Sequence, residues 1–145
     1  MKRTLFWLVA VGMVALPAAR LQAQHSYVGA DKCKICHKLQ YDSWLATKHA
    51  KATEDAKSST KWKFDASCLS CHATNKDETL AGVQCEACHG PGSDYKAMSI
   101  MKDREKAVAN GLIIPTQATC DSCHDGKDHH KKVTFDRNVV HAHKK

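Results

Sequence analysis

The stretch that decides the fold is Cys85-Glu86-Ala87-Cys88-His89, because its pattern of two cysteines, two intervening residues and a final histidine occurs four times in the chain. The other copies are Cys33-Lys34-Ile35-Cys36-His37, Cys68-Leu69-Ser70-Cys71-His72 and Cys120-Asp121-Ser122-Cys123-His124, and we number all four in chain order. Together they contain all 8 cysteines of the 145-residue sequence. A spacing repeated four times with no cysteine left over indicates one chemistry for all the thiols.

Cys-x-x-Cys-His is the sequence to which c-type haem is attached. The two thiols add to the two vinyl groups of one porphyrin, and the adjacent histidine lies beneath the iron as its proximal ligand. A zinc site would explain the thiols but not a histidine after every second cysteine. A thioredoxin-like dithiol needs one copy on a βαβ scaffold, and disulfides need no fixed local spacing. The sequence therefore predicts four covalently bound haems, with His37, His72, His89 and His124 as proximal ligands.

Residues 1–23 have the composition of a secretory leader. Lys2 and Arg3 precede an apolar run over residues 5–16, and Ala23 is the small residue that signal peptidase prefers. A run of this length is too short to span a bilayer. We predict a signal peptide over residues 1–23, a tetrahaem cytochrome c domain over residues 24–145 without a membrane span, and export to the periplasm or the extracellular space. An uncleaved membrane anchor is the alternative, because Arg20 lies close to the cleavage point.

The charge does not indicate nucleic acid or an anionic membrane as a partner. The formal charge of the whole chain is +7, but Lys2, Arg3 and Arg20 belong to the leader, so residues 24–145 carry 19 basic and 15 acidic side chains, a net +4. Four ferric haems with two propionates each would contribute about −1 apiece. The basic residues are therefore expected to pair with haem propionates.

Apolar side chains after the leader are too few to fill a core for a chain of this length. Four porphyrins would supply the missing apolar volume. The predicted fold class is therefore mainly α with extensive loops, a multihaem cytochrome c fold organised around four covalently bound haems, and the chain should not fold without them.

Six of the 10 histidines lie outside the motifs, and they are candidates for the sixth position of the irons: His25, His49, His129, His130, His141 and His143. Two imidazole ligands give a low-spin iron that changes little on reduction, which suits electron transfer. His129 and His130 could instead form a polar patch, and the last two lie at a terminus that frays unless something holds it. We expect at least one distal ligand from these four residues.

His49 is the strongest distal candidate. The sequence over residues 31–56 has no proline or glycine and predicts one helix. On that helix, His37 and His49 would lie about 18 Å apart, too far to share an iron. We therefore expect His49 to bind a haem other than the one at His37.

A second helix is predicted from about residue 94 to residue 110, capped by Ser93 and stopped by Gly111. Met98 and Met101 lie on its inner stripe, where packing is the usual role of methionine. Either could still ligate iron.

The chain resembles the tetrahaem cytochrome c-554 family of multihaem cytochromes. The resemblance covers roughly residues 27–124, and the segments that carry it are Tyr27-Val28-Gly29, the first motif with Trp44 and His49-Ala50-Lys51-Ala52, the second motif, and the stretch from Gly82-Val83-Gln84 through the third motif to Gly90-Pro91-Gly92. It implies a mainly helical periplasmic electron carrier with closely paired haems, and His49 as a distal ligand to another haem.

The resemblance also implies that the haem of His72 can be five-coordinate and that a histidine soon after Gly-Pro-Gly is a distal ligand. Here Ser99 lies near that place, and no histidine occurs between His89 and His124. His25 is the candidate to replace it, within its own subunit or in a neighbouring one. The C-terminus is also shorter than in the family.

The favoured function is an electron shuttle between redox partner proteins, without substrate chemistry. One alternative is a haem enzyme that reduces a small nitrogen or oxygen species at a five-coordinate haem. The other is a subunit of an extracellular polymeric cytochrome filament.

Overall fold

The computed structural model describes residues 25–143, which form short α-helices joined by turns and loops. In chain order these are α1 Ala30–Lys34, α2 Lys38–Leu45, α3 Ala52–Lys57, α4 Leu69–His72, α5 Cys85–His89, α6 Met98–Met101, α7 Arg104–Ala109 and α8 Gln117–Asp121. Single 3-10 turns occupy Ala66–Cys68, Thr74–Lys76 and Glu78–Leu80. Between residues 25 and 143, β-pairing is limited to isolated bridges from Ala73. The predicted class, mainly α with extensive loops, is confirmed. The predicted leader lies outside the described residues.

The single helix predicted over residues 31–56 is wrong, because the chain there forms α1, α2 and α3. His37 leaves the helical region with φ −114° and ψ 44°. Farther on, the Thr47 hydroxyl donates to the Trp44 carbonyl at 2.7 Å, in competition with the helical ladder. The His49 carbonyl accepts from the Val83 amide at 2.8 Å and from the Ala52 amide, three residues on, at 3.3 Å. A local side-chain bond and a bond to a distant segment therefore compete with the helical ladder in this region.

The predicted helix over residues 94–110 is also wrong. Ala97 and Asp103 are extended, so that only α6 and α7 form, and the Asp103 carboxylate caps α7 by accepting from the Lys106 amide at 3.1 Å. Ser93 does not cap a helix, because its hydroxyl accepts from the Ser26 amide at 3.0 Å. Met98 is 60% exposed rather than packed in a core.

The apolar core of the described residues is small. Its buried members are Ala30, Trp44, Leu69, Ala73, Tyr95 and Ala107. Several large apolar side chains near the motifs are exposed instead, including Ile35, Leu39, Trp62 and Ile113. This agrees with the expectation that protein atoms alone fill little of the interior.

A buried carboxylate fastens the N-terminal segment to the third motif. Glu86 is 1% exposed. It accepts hydrogen bonds from the amides of Val28 at 2.9 and 3.0 Å, Gly29 at 2.7 Å and Gly92 at 2.6 Å. Beside it, the Gln84 side-chain oxygen accepts from the Ala30 amide at 2.7 Å. These contacts fix α1 against α5.

Replacing Glu86 with alanine should strongly destabilise the protein. The substitution leaves several buried amides without an acceptor, and each such group costs about 1–3 kcal/mol. We expect a loss of roughly 3 kcal/mol or more in the free energy of unfolding, measured by denaturation of the haem-loaded protein. Glu105→Ala, on the exposed surface of α7, is the control and should cost under about 0.5 kcal/mol. Equal losses in both variants would contradict the role given to Glu86.

Candidate haem sites

Each motif occupies a helix or its end, which brings its two thiols and its histidine together. The third motif is α5 itself, and the second ends with α4. In the first and fourth motifs the histidine amide donates to the carbonyl of the first cysteine at 2.9 Å, one helical turn back. The five residues of each motif therefore place three donor atoms on one short turn.

Three of the four motif histidines hold their rings by a hydrogen bond to the backbone. The Nδ1 atoms of His72, His89 and His124 lie 3.0, 3.1 and 2.9 Å from the carbonyl oxygens of Ala52, Ile113 and Lys131. A carbonyl oxygen only accepts, so Nδ1 carries the proton and Nε2 is left with a free lone pair. This is the usual outer contact of a metal-bound imidazole.

The same three histidines each face a histidine from outside the motifs. The ring centroids of His49 and His124 are 6.1 Å apart, those of His72 and His129 are 6.0 Å apart, and those of His89 and His141 are 6.1 Å apart.

These separations fit two imidazoles on opposite sides of one metal. A metal–imidazole bond is about 2.0 Å and the ring centre lies about 1.1 Å beyond the nitrogen. Two rings across one metal therefore have centroids about 6 Å apart. Three pairs at the same distance indicate a shared arrangement of the rings and not three chance contacts.

The backbone around Gly82 and Val83 sets the position of His49. The Val83 amide donates to the His49 carbonyl, and the Val83 carbonyl accepts from the Trp44 indole at 2.8 Å. Burial, and then the facing ring of His124, lower the pKa of His49. Its ring is therefore neutral near pH 7, as a metal ligand must be.

The adjacent residues His129 and His130 lie in different environments. His129 faces His72, with the Trp62 ring 5.0 Å away between centroids. His130 is instead bonded to the Asp125 carboxylate at 3.0 Å. Of these two residues, only His129 is positioned as a second ligand to the iron of the His72 motif would be.

The C-terminal segment is tied to α2. The Ala142 amide donates to the Ser43 hydroxyl at 2.8 Å, across 99 residues of sequence. This contact holds His141 opposite His89, with the His143 ring 4.2 Å from that of His141.

His25 is not opposite any motif histidine in the described structure. Its Nδ1 pairs with the Asp94 carboxylate at 2.7 Å. The ring also lies against Gly111, where a Cβ would meet it at 3.4 Å.

The motifs adjoin one another in an order that differs from the sequence. The Cys33 side chain lies beside that of Cys85, which places the first motif next to the third. The Cys71 side chain likewise lies beside that of Cys123, which places the second motif next to the fourth. Cys88 lies near Cys120, which places the third motif next to the fourth. The spatial order is therefore first, third, fourth, second.

The donor sets fit c-type haem. Each motif offers two thiols for the porphyrin and one imidazole for the iron, and three have a second imidazole at the distance that a central metal requires. When bound, haem supplies reversible one-electron Fe(II)/Fe(III) chemistry.

Comparisons with known proteins identify similar chains. The family described as cytochrome c554 and c-prime matches residues 32–90. Cytochrome c-554 of Nitrosomonas europaea is 32% identical over 154 aligned positions, covering 81% of this chain and 66% of its own length. The solved structure of reduced cytochrome c554 from the same organism has a TM-score of 0.58 at 24% identity, over 83% of this chain and 76% of that one.

A mainly helical chain with four such motifs is a multihaem c-type cytochrome. This chain belongs to the cytochrome c-554 family, and its prosthetic groups are four c-type haems. It spans 66% of the length of that curated relative.

Three buried polar residues that position the sites were not singled out from the sequence. Thr53 donates its hydroxyl proton to the His72 carbonyl and accepts from the Gly82 amide. Thr74, fully buried, links the Gly82 carbonyl to the Gln84 amide, and Glu86 is the third. Only the last lay in a segment that carried the family resemblance.

Changing Gly82 to alanine should disturb the loop that holds His49. Gly82 has φ +77°, and an added Cβ would lie 2.5 Å from the Ala50 carbonyl oxygen. We expect the free energy of unfolding to fall by about 2 kcal/mol more than in Gly111→Ala. Gly111 also has a positive φ, +98°, but its Cβ would meet only ordinary contacts. Chemical denaturation of both variants measures the difference, and equal losses would rule out the clash.

Proposed function

We propose that this chain is an exported electron carrier that exchanges electrons with redox partner proteins through a series of four haems. The observation that carries the proposal is the set of three histidine pairs at 6.0–6.1 Å, each joining a motif histidine to a distant one. Two imidazoles fill both axial positions of an iron. Such a site has no position for a substrate and changes shape little on reduction.

The distal ligands in this proposal are His49 at the fourth motif, His129 at the second and His141 at the third. His49 therefore serves a haem other than that of His37. This assignment rests on the distances between the rings.

The spatial order of the motifs supports transfer along the molecule. Neighbouring motifs have cysteines that lie close together, so the series runs from the first motif through the third and fourth to the second. The first and second motifs are its two ends. We propose that partner proteins exchange electrons at these ends.

The location is inferred from the leader over residues 1–23 and from the attachment chemistry, and we propose the periplasm or the extracellular space. Within residues 25–143, the structure contains no helix that is both long and apolar enough to cross a membrane.

The positions of His129 and His25 are relevant to the two alternative functions, a haem enzyme and a filament subunit. An enzyme with its open haem at His72 is disfavoured, because His129 lies opposite that histidine. A filament joined by His25 would require that ring to leave the Asp94 carboxylate, with which it pairs within one chain.

Intact mass spectrometry tests the loading of the protein. We expect a mass equal to the exported chain plus four haems that acid-acetone does not extract, because all four are held by thioether bonds. A reductive titration of the same sample should take up four electrons per chain. Fewer than four haems, or extractable haem, would contradict the proposal.

The ligand assignment is tested by His49→Ala. We expect one additional high-spin haem in the EPR spectrum of the ferric protein, located at the fourth motif by a structure of the variant. His130→Ala is the control, because His130 is bonded to Asp125. It should leave the count of high-spin haems unchanged. An unchanged spectrum for His49→Ala, or a change at the first motif, would refute the pairing.

A further inference from the structure

We propose that the haem held by Cys33, Cys36 and His37 has an exchangeable sixth position that binds small ligands such as carbon monoxide, nitric oxide and cyanide. The inference rests on the histidine pairs of the proposed function. His37 is the one motif histidine that belongs to none of these pairs. It places an open haem at the first motif, whereas the family resemblance suggested the second.

His37 has no partner among the other histidines of the described residues. All 10 lie within residues 25–143, so every one is described. Four belong to motifs and three face a motif histidine. Of the remaining three, His25 pairs with Asp94 at 2.7 Å and His130 with Asp125 at 3.0 Å, and the His143 ring lies 4.2 Å from that of His141 between centroids. Among the described residues, no second imidazole lies opposite His37 at the 6 Å distance.

The ring of His37 differs from its counterparts in a second, independent way. Each of the other motif histidines donates from Nδ1 to a backbone carbonyl and is half-buried. His37 is exposed and has no such bond to another residue of the described range. A hydrogen bond at Nδ1 raises the basicity of an imidazole ligand and fixes its orientation. The first haem therefore has the least constrained axial environment of the four.

Access for ligands follows from the position of this motif. It is one end of the spatial series, so another motif lies beside it on one side only. An acceptor at the end of a haem series can also be reduced through the other haems.

Two methionines are the rival ligands. Met98 is exposed and Met101 half-buried, both on α6. A thioether bound to ferric haem gives a near-infrared charge-transfer band that neither an open nor a bis-histidine haem shows. That band separates the alternatives.

Carbon monoxide binding to the dithionite-reduced, haem-loaded protein is the test, with the amount bound counted by optical titration. We expect one molecule per chain, and one high-spin haem in the ferric protein that cyanide converts to low spin. His25→Ala should still bind one. His49→Ala, His129→Ala and the double variant His141→Ala/His143→Ala should each bind two, because each opens a further haem. These variants assign the wild-type site to the first motif by elimination.

Several results would overturn the inference. They are no carbon monoxide uptake by the wild type, a methionine band in the ferric spectrum, and an open haem that appears only in His25→Ala. Uptake that stays at one in His129→Ala would move the open site to the second motif. A high-spin signal that vanishes as the protein is concentrated would indicate a ligand from a second copy. In all these cases the four-electron titration is unaffected, so failure here is distinct from failure of the proposed electron carrier.

Discussion

On the proposed pairing, the ligation of one metal by two imidazole rings about 6 Å apart is the interaction on which the rest of the structure depends. Each pair joins residues far apart in sequence: His49 with His124, His72 with His129, and His89 with His141. A metal between two such rings is a strong cross-link, and its binding free energy becomes folding free energy. A chain with so few buried apolar side chains depends on links of this kind for its long-range order.

Buried polar groups provide the remaining long-range order. Glu86 accepts hydrogen bonds from amides of the N-terminal segment and of the turn after the third motif. Around Gly82, the Thr53 hydroxyl accepts from the Gly82 amide and the Thr74 hydroxyl donates to the Gly82 carbonyl. These contacts explain why the segments that carry the family resemblance, although distant in sequence, belong to one structural unit.

Sequence reasoning predicted the number and kind of haems correctly, because covalent chemistry fixes the form of the motif. The thiol spacing follows from the porphyrin, so the attachment residues and the number of haems could be predicted. The helix ends near Thr47 and Asp103 could not be predicted, because they depend on whether these side chains bond to nearby backbone in competition with the helical ladder. Likewise, the sequence does not distinguish His129 from His130 as a ligand, because the two side chains are identical. They differ in the structure because the Asp125 carboxylate is hydrogen-bonded to His130.

The return of the C-terminal segment to Ser43 has a consequence for biogenesis. If the chain is exported N-terminus first, as proposed, it presents all four attachment motifs before residues 129 and 141 emerge. On the proposed pairing, haem ligation could then be completed only at the end of translocation. Thioether formation would therefore precede the final coordination at two irons, so the apparatus that attaches haem must handle a chain whose irons still have free positions. A product truncated just after the fourth motif would carry its full complement of haem yet lack the native redox properties.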